Sequence, residues 1–291
     1  MKLTDDSLPP DRAGPTATSR AGRRTGLALI LFLLFGGCHL GQSNTVGLPT
    51  RHSVRADQLL LLSDIKLKPD HPLIQDLVVL RKQVSQALQL PLQTEPVIVY
   101  LFSNEVEYYQ YLQTAHPGLP SRRAYFIATP QELAVYTYWG ERIQEDLRHE
   151  YTHGLLHAAL HSVPLWLDEG LAEYFEVAGP TPGQVNPEYA ERLATAITNG
   201  WQPDMERLER LEKVEQMQRA DYREAWAWVH FMLHSSPDTR QILLSYLQDL
   251  RADPDPEELS KRLARDVPQL NQRLLSYLSS LNTFRNGNGT G

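Results

Sequence analysis

Two hydrophobic periods run along this chain, and the point where one gives way to the other divides it. The apolar runs Leu59–Leu62 and Val97–Phe102, and the mixed stretches Tyr125–Ala128 and Glu132–Trp139, predict short β-strands. Thr129-Pro130-Gln131 joins the last two as a hairpin. Helical spacing over about Pro72–Leu88 interrupts this part, and Asn104 with Glu107 three residues on reads as a capping box opening a helix to about Gln113. After Trp139 the pattern is helical throughout. Two helices flank Ser162-Val163-Pro164, and Gly179-Pro180-Thr181-Pro182-Gly183 breaks the chain after them. Further helices are expected at about Pro187–Asn199, Asp221–His234, Thr239–Leu250, Pro256–Arg265 and Val267–Leu281. The expectation is an α+β domain over residues 56–285, a short mixed β-sheet followed by helices. Residues 38–55 read as a tether and 286–291 as a disordered tail.

The chemistry concentrates where the period changes. His149-Glu150-Tyr151-Thr152-His153 opens the first long helix after the strands. Residues four apart on a helix lie one above the other, so His149 and His153 can direct two imidazoles at one cation. Glu150 sits about 100° round the helix, where it can flank that cation and hold a water. Two histidines and a carboxylate leave zinc an open fourth position, at which the pKa of water falls to roughly 7. Glu150 would then take the proton and pass it to a leaving amine.

A third ligand is needed, and the next helix can provide it. Pro164 and Leu165 suit a first helical turn, where proline's fixed φ and missing N–H cost nothing. Glu169 then lies just over one turn in. For it to meet His153 the first helix must end near Ala158 to Leu160, and the two helices must cross as an antiparallel pair. Glu173, one turn further on the same face, could hydrogen-bond a ligating imidazole and fix its orientation.

His149-Glu150-x-x-His153, fifteen residues, and then Glu169 within Trp166-Leu167-Asp168-Glu169-Gly170-Leu171-Ala172-Glu173-Tyr174 together resemble the gluzincin zinc metallopeptidases of clan MA. The same residues resemble small peptidase-MA-like bacterial proteins grouped as a domain of unknown function, the 1570 type. The resemblance implies Zn2+ held by His149, His153 and Glu169, Glu150 as catalytic base, and a thermolysin-like core with two crossing zinc-binding helices. It also implies an edge strand that pairs with extended substrate, which by order is Leu133–Tyr138; the same segment reads equally as an interior strand. Gluzincins bring a tyrosine or histidine to the oxyanion of the tetrahedral intermediate, and Tyr222 is the matching residue, with His230 two turns on as the other choice. The interval before Glu169 is shorter than in large gluzincins, consistent with a smaller domain. A metzincin needs a third histidine six residues after the second, where Ala159 stands.

Several neighbouring residues have plain structural readings. His157 and His161 continue the four-residue spacing, but a helix face drifts and the helix is expected to end, so His157 reads first as a packing or surface residue and otherwise as support for a ligand, and His161 as a helix-end residue. Trp226, Trp228, Phe231 and Met232 read as core, and His230 as a buried structural histidine. Asp168 suits either support of a ligand or an exposed face.

Composition adds compartment and partners. The 291 residues carry a net charge of −7, and since five basic and three acidic residues precede Cys38, the remainder carries −9. With no basic stripe, nucleic acid is not an expected partner. Residues 1–37 have a signal-peptide layout: Arg20, Arg23 and Arg24, the apolar run Leu27–Phe35, then Gly36-Gly37 before Cys38, the only cysteine. This resembles a bacterial lipoprotein leader, which implies lipidation of Cys38, a membrane anchor and a catalytic domain facing the periplasm or exterior. A lone cysteine forms no intramolecular disulfide, so the core alone holds the fold. The expected function is zinc-dependent hydrolysis of a peptide or protein substrate in the cell envelope. Two rivals remain in view: a non-cleaving binding or assembly protein on the same fold, and a zinc amidohydrolase of cell-wall amides.

Overall fold

The computed structural model describes residues 46–91 and 96–287. The expected leader and Cys38, and the last four residues of the expected tail, lie outside them. The described residues form an α+β fold with one mixed five-stranded sheet and ten α-helices. The strands are β1 (His52–Ala56), β2 (Leu59–Ser63), β3 (Val97–Phe102), β4 (Ala124–Ala128) and β5 (Leu133–Tyr138). Their order is β1-β2-β3-β5-β4. β2, β3 and β5 run parallel, and β1 and β4 pair antiparallel at the two edges.

Three expectations change here. β5 lies inside the sheet between β3 and β4, so the segment matched by order to a substrate-pairing edge is not an edge; that position belongs to β4. The hairpin explains the exchange, because after the Thr129 turn the chain comes back between its partner and β3. The expected tether also enters the fold. β1 begins at His52, with Val54 buried, and Val46 and Leu48 pack against a sheet-face cluster. At the other end, the last helix runs on to Gly287, into the segment read as tail.

One face of the sheet meets α1 (Pro72–Leu88) and α3 (Ile143–Ala159) through Leu61, Val99, Val135, Leu77 and Tyr151. The other face is rich in tyrosine, Tyr100, Tyr125 and Tyr136 among them, and α2 (Glu105–Ala115) covers it with its own Tyr108. Asn104 caps α2, its side chain accepting the Glu107 N–H at 3.0 Å. α4 (Leu165–Glu176) follows α3 and packs between it and α7 (Arg219–His234). α5 (Pro187–Thr198), the short α6 (Met205–Glu209) and a 3-10 turn at Val214–Gln216 precede α7. α8 (Pro237–Ala252), α9 (Leu259–Asp266) and α10 (Leu270–Gly287) complete the helical part.

Two glycines set how closely the functional helices approach. A Cβ on Gly154 would stand 2.6 Å from Val97 Cγ1, so α3 rests directly on β3 immediately after His153. A Cβ on Gly170 would stand 2.8 Å from the Ala225 carbonyl oxygen, so α4 lies backbone-close to α7 immediately after Glu169. Arg148 locks α3 to α4. It is 1% exposed, and its guanidinium donates to the Phe175 and Glu176 carbonyls at 2.9 and 3.1 Å and to Asp76 Oδ1 at 2.9 Å. Those carbonyls at the end of α4 have no further helical turn to bond, and a buried cation satisfies them.

Candidate metal centre

Antiparallel packing of α3 and α4 follows from their contacts: His149 meets Glu176 at the end of α4, while His153 meets Asp168 near its start. The two imidazoles are neighbours on α3, with ring centroids 5.0 Å apart. His149 Nδ1 hydrogen-bonds Glu176 Oε2 at 3.0 Å. His153 Nδ1 lies 3.0 Å from Asp168 Oδ1, a charge contact whose alignment falls short of a hydrogen bond. Asp168 Oδ2 in turn hydrogen-bonds His157 Nε2 at 3.0 Å. With carboxylates at both Nδ1 atoms, both Nε2 atoms are turned toward Glu169, whose Oε2 lies 3.4 Å from one and 3.6 Å from the other. His149, His153 and Glu169 thus each offer a ligand atom within 4.8 Å of the others, a group that could hold a metal ion.

The electrostatics follow from these contacts. Burial opposes charge on both imidazoles, yet Glu169 and Glu176 raise His149 well above the usual histidine value. Burial likewise opposes charge on His153, and Asp168 with Glu169 pushes it up to about 10. Burial favours the neutral form of Glu169, but both histidines hold it well below the ordinary carboxylate range.

The remaining expected residues fall around this cluster. Glu150 lies on α3 beside the cleft, and its Oε2 accepts the backbone N–H of Phe126, on edge strand β4, at 2.7 Å. No other hydrogen bond of the Glu150 side chain is found among the described residues. Tyr222, in the first turn of α7, lines the same cleft with His149, Glu150 and Glu169. Burial and the Glu169 charge raise its pKa, so its hydroxyl keeps its proton at neutral pH and is a donor. His230 does not reach the cleft. It is buried between Gly183 O at 3.1 Å and the Tyr277 hydroxyl at 2.6 Å, in keeping with a structural role. Trp226, Trp228, Phe231 and Met232 are core.

Glu173 needs a correction. The imidazole hydrogen bond expected of it is made by Glu176, one turn further on. Glu173 is buried beside them and interacts with Tyr189. Burial pushes it up to about 7, with the neighbouring Glu176 adding to the shift against the pull of His149. Three participants lay outside the sequence reading or against it. His157 joins the cluster through Asp168, against its first reading as a packing or surface residue. Phe126 stacks near parallel to the His153 ring, 6.2 Å away. Arg122 lines the cleft, its cation over the Tyr125 ring at 5.9 Å and its side chain against Tyr222.

A family model described as "Protein of unknown function (DUF1570)" matches residues 145–254. That interval runs from the first turn of α3 past the end of α8, so it contains His149, His153, Glu169 and Tyr222 but not β4 or Arg122. No curated protein matches the chain.

Proposed function

We propose that this protein is a zinc-dependent peptidase, anchored at the cell envelope through a lipidated Cys38. The observation that carries the reading is the convergence of His149 Nε2, His153 Nε2 and Glu169 Oε2, with each outer imidazole nitrogen facing a carboxylate. Zinc bonds of about 2.0–2.1 Å in a tetrahedral shell put neighbouring donors roughly 3.3–3.4 Å apart. The Glu169 oxygen lies 3.4 and 3.6 Å from the two nitrogens, close to that spacing, and the three donor atoms all lie within 4.8 Å of one another. Carboxylates behind the histidines fix the tautomer and raise ligand basicity, as expected of a metal centre.

Bound there, zinc supplies Lewis acidity and makes water acidic near neutral pH. The chain's own groups supply the rest. Glu150 is held against the edge strand by the Phe126 N–H, which leaves its second oxygen to take a proton from water and return it to a leaving amine. The Tyr222 hydroxyl offers a hydrogen bond to a carbonyl oxygen as it gains negative charge, an interaction that can contribute about 3 to 4 kcal/mol. Edge strand β4 borders the cleft at Phe126 and gives an extended peptide a backbone to pair with. These roles match the gluzincin resemblance, with β4 instead of β5 as the pairing strand.

Among the described residues no helix is long and apolar enough to cross a membrane, and the envelope location rests on the leader sequence. Casein cleavage by the wild-type protein, Glu150→Gln and chelator-treated wild type, side by side, tests the reading. Cleavage by wild type alone, restored by zinc after chelation, is expected. Equal cleavage by Glu150→Gln would refute the assignment of the base.

A further inference from the structure

The walls of the cleft on either side of Glu169 differ in chemistry. Toward β4 and the start of α4 apolar groups, Pro120, Phe126, Leu165 and Val214 among them, line it together with Asp168, Glu215 and with Arg122, which both sides share. Toward the start of α7 it is lined by charged groups, five arginines and seven carboxylates. Arg219, Tyr222 and Arg223 stand three and four residues apart, so one face of α7 presents all three to the cleft, and Arg122 meets them from the segment leading into β4. Arg123 and Arg142 on the same wall are engaged by Asp146 and Glu145. Arg122, Arg219 and Arg223 have no carboxylate ion-pair partner among the described residues.

The carboxylates of this wall have partners of their own: Glu145 and Asp146 pair with Arg142 and Arg123, Glu176 with His149 and Glu188 with Arg192, while Glu169 faces the two histidines, Glu150 accepts from Phe126 and Glu173 lies against Tyr189. A guanidinium has five donors and no acceptor, and its planar fork matches a carboxylate. The wall lies at the N-terminal end of a sixteen-residue helix, whose dipole also favours a negative group.

We infer that Arg122, Arg219 and Arg223 form a subsite for a carboxylate of the peptide bound in this cleft, either an acidic side chain or a free C-terminus. In calling the bound molecule a substrate the inference rests on the peptidase reading, whereas the carboxylate binding does not need turnover. The apolar wall opposite would take a hydrophobic side chain, so the preferred peptide carries an apolar residue and a carboxylate on opposite sides of Glu169.

Calorimetric titration of the full-length, zinc-loaded Glu150→Gln protein with four N-terminally blocked alanine-phenylalanine heptapeptides, three of them also C-terminally amidated, tests this. One peptide is neutral, one has an internal glutamate, one has a free C-terminal carboxylate, and one has an internal lysine. At least one carboxylate peptide should bind about tenfold more tightly than the neutral one, as a charge-assisted pair in a cleft implies, and high salt should erode the difference. Which carboxylate peptide gains identifies the source of the group. Arg122→Gln and Arg223→Gln should each reduce the preference while leaving the affinity for the neutral peptide in place, and Arg223→Lys should keep part of it. Equal binding of all four peptides, tighter binding of the lysine peptide, no binding of any, or an undiminished preference in both glutamine variants would overturn the inference. A preference that survives in a wild-type protein unable to cleave these peptides or casein would remove the peptidase reading and leave the carboxylate subsite standing.

Discussion

Replacing Glu176 with alanine should weaken metal binding far more than the same change at Glu173. Both carboxylates are buried or half-buried on one face of α4, seven and four residues beyond Glu169. Only Glu176 reaches an imidazole nitrogen, 3.0 Å from His149 Nδ1. Its loss frees the ring to rotate and removes the negative partner that makes Nε2 a better donor, and such outer carboxylates typically account for 10–100-fold in metal affinity, about 1.4–2.8 kcal/mol. The main-chain carbonyl of residue 176 accepts from Arg148 at 3.1 Å, and a side-chain truncation leaves that link between α3 and α4 intact. Glu173 interacts instead with Tyr189, so its truncation should change affinity by less than about threefold, within the spread expected for a group that holds no ligand. Competition of the purified proteins against a chromophoric zinc chelator reads both constants. A larger loss in Glu173→Ala than in Glu176→Ala would refute the assignment of the supporting carboxylate.

Other consequences follow from the same contacts. Glu150→Gln should retain zinc and lose about 10²–10⁴-fold in turnover, read by metal content and peptide cleavage on one sample, because the base is not a ligand. Gly170→Ala should cost about 1–3 kcal/mol in urea unfolding, since its Cβ meets the Ala225 backbone at 2.8 Å and only a shift of α4 from α7 relieves it. His230, pushed down to about 4 chiefly by burial and then by His234, is neutral in the folded protein at neutral pH. Its folded pKa lies below its unfolded value near 6.5, so its contribution is fully present above pH 6.5 and is lost as pH falls toward 4, about 3 kcal/mol in all. Unfolding measured from pH 7 to 4 should show that slope in wild type, and His230→Gln should flatten it.

Much of this arrangement was written locally in the sequence. The four-residue spacing of His149 and His153 put both imidazoles on one face, and the Pro164 helix start set the distance to Glu169, so those three side chains meet where the pattern said they would. What escaped depends on partners distant in sequence. Glu173 and Glu176 share a helix face, and periodicity cannot choose between them. The antiparallel course of α3 decides it by bringing His149, a turn before His153, opposite the far end of α4. Arg122 sits in an unpatterned segment and gains meaning only because the chain then enters β4 beside the cleft. β1 reads as polar tether because an edge strand buries little; Val54 is its one buried residue. Strand order was ambiguous for a related reason, since hydrophobic runs mark strands but not which of two hairpin arms returns to the sheet interior.

The central claim is that His149, His153 and Glu169 form one metal centre, and metal analysis of purified wild type, Glu150→Gln and Glu169→Ala tests it most directly. One zinc per chain in the first two and loss in the third is the predicted result; wild type without zinc after exposure to it, or Glu169→Ala with undiminished zinc affinity, would contradict the account.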